Sequence, residues 1–265
     1  MKRELLVVGL LGIAVVAFEV MSGDVAGAAP AEVIKEQTLV VIDPAPQVSA
    51  RAYGVFDVIT GELLFGNNTD KALPIASVTK LFTAATALES DYINEVTVIT
   101  AADVAAEGRA GKLEVGDEYT LHELLFPLLL ESSNDAAAVY ERTLPSLPFR
   151  DASGLSDKNT ASVKELAAKV QQLYQTERHI FDITVLPQYV GKETGWVNNS
   201  PVRHLEGYQG GKHGYTEAAG KTLVTLFKEP TLGDRTLGYV LLGSDGLEDD
   251  LIQLRSFVEQ SVEFQ

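Results

Sequence analysis

Residues 210–227 read GGKHGYTEAAGKTLVTLF. Gly210 to Tyr215 and Lys221 to Phe227 have the composition of two short strands, and the residues between them have the composition of a turn. A third run, Leu237 to Leu242, continues the pattern. Leu247, Leu251, Leu254, Phe257 and Val258 then recur at helical spacing on a closing helix. Near the other end of the chain, Tyr53 to Ile59 and Glu62 to Phe65 flank Thr60-Gly61 and read as a hairpin. Helical segments fill the middle. Ala76 to Leu88 places Leu81, Ala84, Ala85 and Leu88 on one face. Thr120-x-x-Glu123 is a capping box before the apolar run Leu124 to Leu130, where Pro127 predicts a kink or a short helix. Asp135 to Arg142 fits a helix, and Ser162-x-x-Glu165 is a second capping box, opening a helix faced by Val163, Leu166, Ala167, Val170, Leu173 and Tyr174. Strands at both ends with helices between them predict an α+β fold, an antiparallel sheet assembled from both ends of the chain and flanked by helices.

The chain has 265 residues, 46% of them hydrophobic, with a net charge of −16. This acidity repels phosphate backbones and argues against a nucleic-acid partner. With no cysteine, disulfides, thiolate metal sites and cysteine nucleophiles are excluded together. His122, His179 and His204 show no ligand spacing such as H-E-x-x-H, so neither a metal nor a cofactor is expected. At the N-terminus, Lys2 and Arg3 precede an apolar run from Leu5 to Phe18 and a small-residue stretch in which Ala26-Gly27-Ala28 fits a cleavage site. Residues 1–28 therefore read as a signal peptide or an uncleaved anchor, 29–47 as a tether rich in Ala, Pro and Val, and 48–265 as the folded domain. The expectation is export to the periplasm or cell surface, secreted or anchored, with membrane contact only through the N-terminal segment.

Three short patterns carry chemistry. Ser77-Val78-Thr79-Lys80 puts a hydroxyl and an amine on one face of a helix start, where backbone N–H groups favour developing negative charge. A serine needs a base within hydrogen-bond reach, and a lysine serves only when burial or neighbouring cations keep it neutral. Ser132-Ser133-Asn134 lies between two helices and reads as an N-cap or as a polar site wall. Lys212, flanked by glycine on a late strand, lets a ligand approach the backbone closely and offers charge to a carboxylate. Each pattern alone has an ordinary structural reading. Together, and in this order, they resemble the motif set of penicillin-binding proteins and class A β-lactamases. Trp196 and Asn198-Asn199 read as either core or cleft residues, and Arg203 as a surface ion pair or a carboxylate contact.

From about Tyr53 to Phe257 the chain resembles the low-molecular-mass penicillin-binding proteins, the serine D-alanyl-D-alanine carboxypeptidases. The likeness extends to Phe56-Asp57-Val58-Ile59-Thr60-Gly61, Pro74-Ile75-Ala76-Ser77, Leu129 to Ala137, Ser153-Gly154-Leu155 and Gly211 to Gly220. The resemblance implies that residues 48–265 form a catalytic domain. Ser77 would attack the carbonyl between two D-alanines, and Lys80 would take its proton. Ser132 would relay a proton to the leaving amine, with Asn134 beside it on the opposite wall. Lys212 would face the terminal carboxylate, with His213 and Gly214 beside it, and the N–H groups of Ser77 and Tyr215 would form an oxyanion hole. The implied partners are peptidoglycan stem peptides and acylating β-lactams. There are three departures from the family pattern. His213 stands where the family usually has Thr, which predicts recognition that depends on pH through imidazole protonation. The stretch from Asn134 to Ser153 is shorter than usual. The closing helix is expected to end the domain without the β-rich C-terminal domain and tail anchor of many family members, so any membrane attachment is expected at the N-terminus. Two rival readings remain: a non-catalytic peptidoglycan-binding or β-lactam-sensing module, with His213 as the mark of decay, and a β-lactamase, for which Glu141 looks misplaced as the water-activating base.

Overall fold

Alternation of side chains along the late strands sorts the core into two layers. Val224, Leu226, Val240 and Leu242 join one buried cluster, while Leu223, Phe227, Leu237, Tyr239 and Leu241 join another. This is the two-residue period of a sheet covered on both faces. The computed structural model describes residues 38–108, 110–192 and 194–265. The segment read as a signal or anchor, 1–28, lies outside the described residues, as does the start of the tether.

In chain order the elements are β1 (Leu39–Val41), β2 (Ala52–Asp57), β3 (Leu63–Asn67) and β4 (Leu73–Pro74), then a 3-10 turn at Ala76–Val78 and α1 (Thr79–Leu88). Next come β5 (Val96–Val98), α2 (Ala101–Val104), β6 (Glu118–Thr120), α3 (Leu121–Leu130), α4 (Asn134–Thr143), β7 (Thr160–Ala161), α5 (Val163–Thr176) and α6 (His179–Val185). The last part holds β8 (Gln188–Val190), β9 (Gly195–Val197), β10 (Tyr208–Thr216), β11 (Gly220–Glu229), β12 (Arg235–Ser244), α7 (Leu247–Ser261) and β13 (Val262–Phe264).

The main sheet has the order β10-β11-β12-β2-β3 and is antiparallel throughout, with β2 from the first part of the chain hydrogen-bonded to β12 from the last. This is the expected α+β architecture. One face packs against α7 through Leu251, Leu254 and Val258, and the other against the helical region through Leu81, Leu124, Val139 and Leu166. Each such side chain contributes about 2 kcal/mol on full burial.

Both expected capping boxes form, with Thr120 accepting from the N–H of Glu123 and Ser162 from that of Glu165. α3 runs its full length through Pro127 to Leu130 rather than stopping at the proline. The tether reading fails at its C-terminal end, where Leu39–Val41 pairs antiparallel with Val262–Phe264, Leu39 joins the α7-side core, and Pro46 O accepts a bond from the Tyr53 hydroxyl. A three-residue strand leaves almost no periodic trace, and its partner lies at the far end of the chain. β10 is the edge strand of the main sheet, and α6 packs beside it.

Candidate active site

The site is built from one edge strand and two helix beginnings. Ser77 sits in the 3-10 turn Ala76–Val78, one turn before Lys80 on α1. Ala76 adopts φ +47°, an uncommon conformation for a residue with a Cβ. Lys80 is fully buried, and its Nζ lies 3.0 Å from Ser77 Oγ. The same Nζ donates to Asn134 Oδ1 at 2.7 Å and to the Ser153 carbonyl at 2.6 Å. Ser77 Oγ also donates toward the Ser153 carbonyl at 3.3 Å. In a neutral amine two N–H groups serve the two carbonyl acceptors, and the lone pair is left facing Ser77 Oγ, whose one proton can turn from the Ser153 carbonyl to the amine.

The surroundings favour that neutral form. Burial pulls the Lys80 pKa well below its ordinary value, and the nearby cation Lys212 pulls it further, while Asp151 and Asp135 oppose both. Lys212 is itself buried on β10, and burial lowers its pKa to about 7. Its Nζ donates to the His213 carbonyl at 2.7 Å. Gly214, next along, brings the strand backbone against Ser77: a Cβ there would stand 2.4 Å from Ser77 N. Thr222 on β11 ties the two together, its hydroxyl lying 3.0 Å from the Ile75 carbonyl and 3.3 Å from that of Gly214. Tyr215, with 65% of its surface exposed, continues the strand outward.

Asn134 is held from both sides, its Nδ2 donating to the Glu107 carbonyl at 2.7 Å while its Oδ1 faces Lys80. Ser133 caps α4 by accepting from Ala136 N at 2.8 Å, and its hydroxyl donates to Asp135. Ser132 is half-buried with φ +61°, and among the described residues its hydroxyl has no hydrogen-bond partner, Lys80 included.

The pH-dependent role expected of His213 does not hold. Burial, followed by the charges of Lys212 and Lys80, pushes its pKa down to about 3, so the ring is neutral across the physiological range. The sequence also gave no reason to single out the Ser153 carbonyl or Asp151. The Ser153-Gly154-Leu155 turn was visible, but its backbone contact with Lys80 depends on the fold.

Trp196 belongs to the core, 1% exposed, with Nε1 donating to the Gly111 carbonyl at 2.6 Å. Asn198 Nδ2 bonds the carbonyls of Thr184 and Leu186, Asn199 Nδ2 bonds that of Glu131, and Arg203 is exposed. Glu141 spends its carboxylate on Ala152 N at 3.3 Å. Folding brings His122 and His179 together, with their Nε2 atoms 3.1 Å apart, bridging α3 and α6. No group of three or more metal-ligating side chains forms among the described residues.

The chain that carries this site is similar in sequence and fold to several known proteins. The family model described as D-alanyl-D-alanine carboxypeptidase, Peptidase S11, matches residues 39–143. The chain is 28% identical over 208 residues to a D-alanyl-D-alanine carboxypeptidase of Mycobacterium tuberculosis, covering 68% of this chain and 71% of that protein. It is 26% identical over 237 residues to a D-alanyl-D-alanine endopeptidase of Haemophilus influenzae, covering 79% and 81%. Among solved structures, a D-alanyl-D-alanine carboxypeptidase from M. tuberculosis superposes with a TM-score of 0.72 at 25% identity, covering 82% of this chain and 93% of that one. Penicillin-binding protein D2 of Listeria monocytogenes in its ampicillin-bound form superposes with a TM-score of 0.70 at 22% identity, covering 81% and 99%. Matching sequence and shared fold point the same way: over residues 39–143 the chain matches the Peptidase S11 D-alanyl-D-alanine carboxypeptidase family, and it is like the low-molecular-mass penicillin-binding proteins.

Proposed function

We propose that residues 48–265, with the added strand β1, form an exported serine D-alanyl-D-alanine carboxypeptidase that trims the terminal D-Ala from peptidoglycan stem peptides and is acylated by penicillins. The observation that carries this reading is the buried Lys80 amine, 3.0 Å from Ser77 Oγ and held toward its neutral form.

The substrate's terminal carboxylate meets the protonated Lys212 on β10. Lys80 accepts the Ser77 proton as Oγ attacks the D-Ala carbonyl, and general-base assistance of this kind is worth about 10²–10⁴-fold. The backbone N–H groups of Ser77 and Tyr215 receive the oxyanion, a role favoured by the close approach of Gly214 to Ser77 N. Ser132, whose hydroxyl has no partner among the described residues, passes the proton to the departing amine. Asn134 holds Lys80 on the opposite wall. Water then hydrolyses the acyl-enzyme. His213 lines the strand as a neutral hydrogen-bond donor to the carboxylate, in place of a hydroxyl.

The test is incubation with a D-Ala-D-Ala pentapeptide, with product analysis, alongside intact-mass measurement after benzylpenicillin. The wild type should release D-Ala and carry one penicilloyl adduct, and Ser77→Ala should do neither. Cleavage of cross-linked dimers in preference to pentapeptide would replace carboxypeptidase by endopeptidase. Rapid turnover of the adduct would indicate a β-lactamase, and no adduct with intact pentapeptide a binding module.

A further inference from the structure

One carboxylate close to the nucleophile takes no part in the proton transfers above. Asp151 is half-buried on the loop between α4 and β7. Its Oδ1 accepts from the N–H groups of Ser153 at 2.9 Å, Gly154 at 2.6 Å and Leu155 at 3.3 Å, and from the Ser153 hydroxyl at 2.8 Å. Its Oδ2 accepts from Ser156 N at 2.9 Å. A carboxylate bonded by successive backbone donors winds residues 151–156 around itself. The turn passes through Gly154 at φ +84°, where a Cβ would lie 2.0 Å from the Ala76 carbonyl, so the loop packs directly on the turn that carries Ser77.

Two further contacts fasten the loop to α1 on either side of Lys80. Asn159 Nδ2 donates to Thr79 Oγ1 at 3.2 Å and to the Asp151 carbonyl at 3.1 Å. Thr83 Oγ1 donates to the Ala152 carbonyl at 2.8 Å. With the loop held by Asp151 within and by α1 without, the carbonyl of Ser153 points at Lys80 Nζ and Ser77 Oγ together.

We propose that Asp151 is a positioning residue for acylation: it winds the 151–156 turn so that the Ser153 carbonyl takes one N–H of Lys80 and leaves the amine lone pair toward Ser77. This rests on the reading of Ser77 and Lys80 as nucleophile and base. Asp151 also places a fixed negative charge near the amine. Burial works against that charge, but the bonds from Ser153, Ser156 and Gly154 outweigh it and hold the carboxyl below its usual range. The other ionisable groups acting on Lys80 are Lys212 from β10 and Asp135 from α4. Asp151 thus has two separable effects: it orients the amine, and it favours the amine's protonated form.

The experiment is the pH dependence of benzylpenicillin acylation at saturating penicillin, followed by intact mass, for wild type, Asp151→Asn and Asp151→Glu. Asp151→Asn loses the charge and sets an NH2 group where one of the two acceptor oxygens was, so either the Ser156 N–H or the 153–155 donors lose their acceptor and the turn loosens. The variant's maximal rate should fall on the order of 10²-fold, and its acid limb should move to lower pH by roughly half a unit to one unit. Asp151→Glu keeps the charge and displaces the turn, so its rate should fall while its limb stays at the wild-type pH. Asp151→Asn acylating at the wild-type rate with an unmoved limb would overturn the proposal. So would a rate loss with an unmoved limb in both variants, the signature of general structural damage. A wild type that forms no adduct, or a Lys80→Ala variant that acylates normally, would instead refute the underlying assignment of nucleophile and base.

Discussion

Three titratable side chains, Lys80, Lys212 and His213, act on one another at this site, and burial is the largest influence on each. Like charges crowded into low dielectric cannot all persist, so protons leave until the cost is tolerable. Lys212, with a pKa of about 7, is charged below neutrality and loses its charge as pH rises through that value, whereas His213, at about 3, carries none in that range. On the proposed role of Lys212, binding of a carboxylate-bearing substrate should be present below pH 7 and weaken above it. The kcat/KM of D-Ala release should show an alkaline limb near pH 7 that His213→Thr leaves in place while changing only its height. A limb that disappears in His213→Thr would return the titration to the imidazole. The pairing of Ser77 with Lys80 was legible in the i, i+3 spacing. The direction of every pKa shift was not, because it depends on which distant residues the fold packs around the amine.

The elements differ in how openly the sequence announces them. α3 and α5 begin where Thr120-x-x-Glu123 and Ser162-x-x-Glu165 say they should, since a cap is a local contract between a hydroxyl and nearby N–H groups. β10, β11 and β12 follow from β-rich runs separated by turns, each observed strand extending somewhat beyond the expected run. β1 and β13 left no comparable trace. Of the 151–156 turn only Ser153-Gly154-Leu155 was recognisable; its shape comes from the Asp151 carboxylate and its importance from where it lands. Strand β10 also carries a steric requirement that composition does not reveal. Gly214 has to lack a side chain because Ser77 N occupies the space, with a Cβ there standing only 2.4 Å away. Gly214→Ala should push the Ser77 turn off the strand and lower benzylpenicillin acylation on the order of 10²-fold. Its thermal midpoint should fall far less than that of a core truncation. Acylation at the wild-type rate would show that the strand and the nucleophile are not coupled in this way.

Across the whole molecule, the sheet brings β2 beside β12 and so presents Ser77, just beyond β4, to β10 near the other end of the chain. The helical region supplies the remaining wall, with Asn134 at the start of α4 and the Ser153 carbonyl on the loop after it. This division lets each of the three motifs sit at the start of a helix or on a strand with a recognisable local signature, and the topology has only to bring them together. The same division explains why the lysine environment was invisible, for it is a property of the assembled walls. The central chemical claim is that the Lys80 amine is neutral and serves as the base for Ser77. Its most direct test is the wild-type rate of Ser77 acylation by saturating benzylpenicillin, measured by intact mass from pH 5 to pH 11 (about one unit past free lysine). The expected result is a rate that rises along a single limb well below the ordinary lysine pKa of 10.5 and then stays level. A limb at that ordinary value, or a Lys80→Ala variant with an unaltered profile, would contradict it.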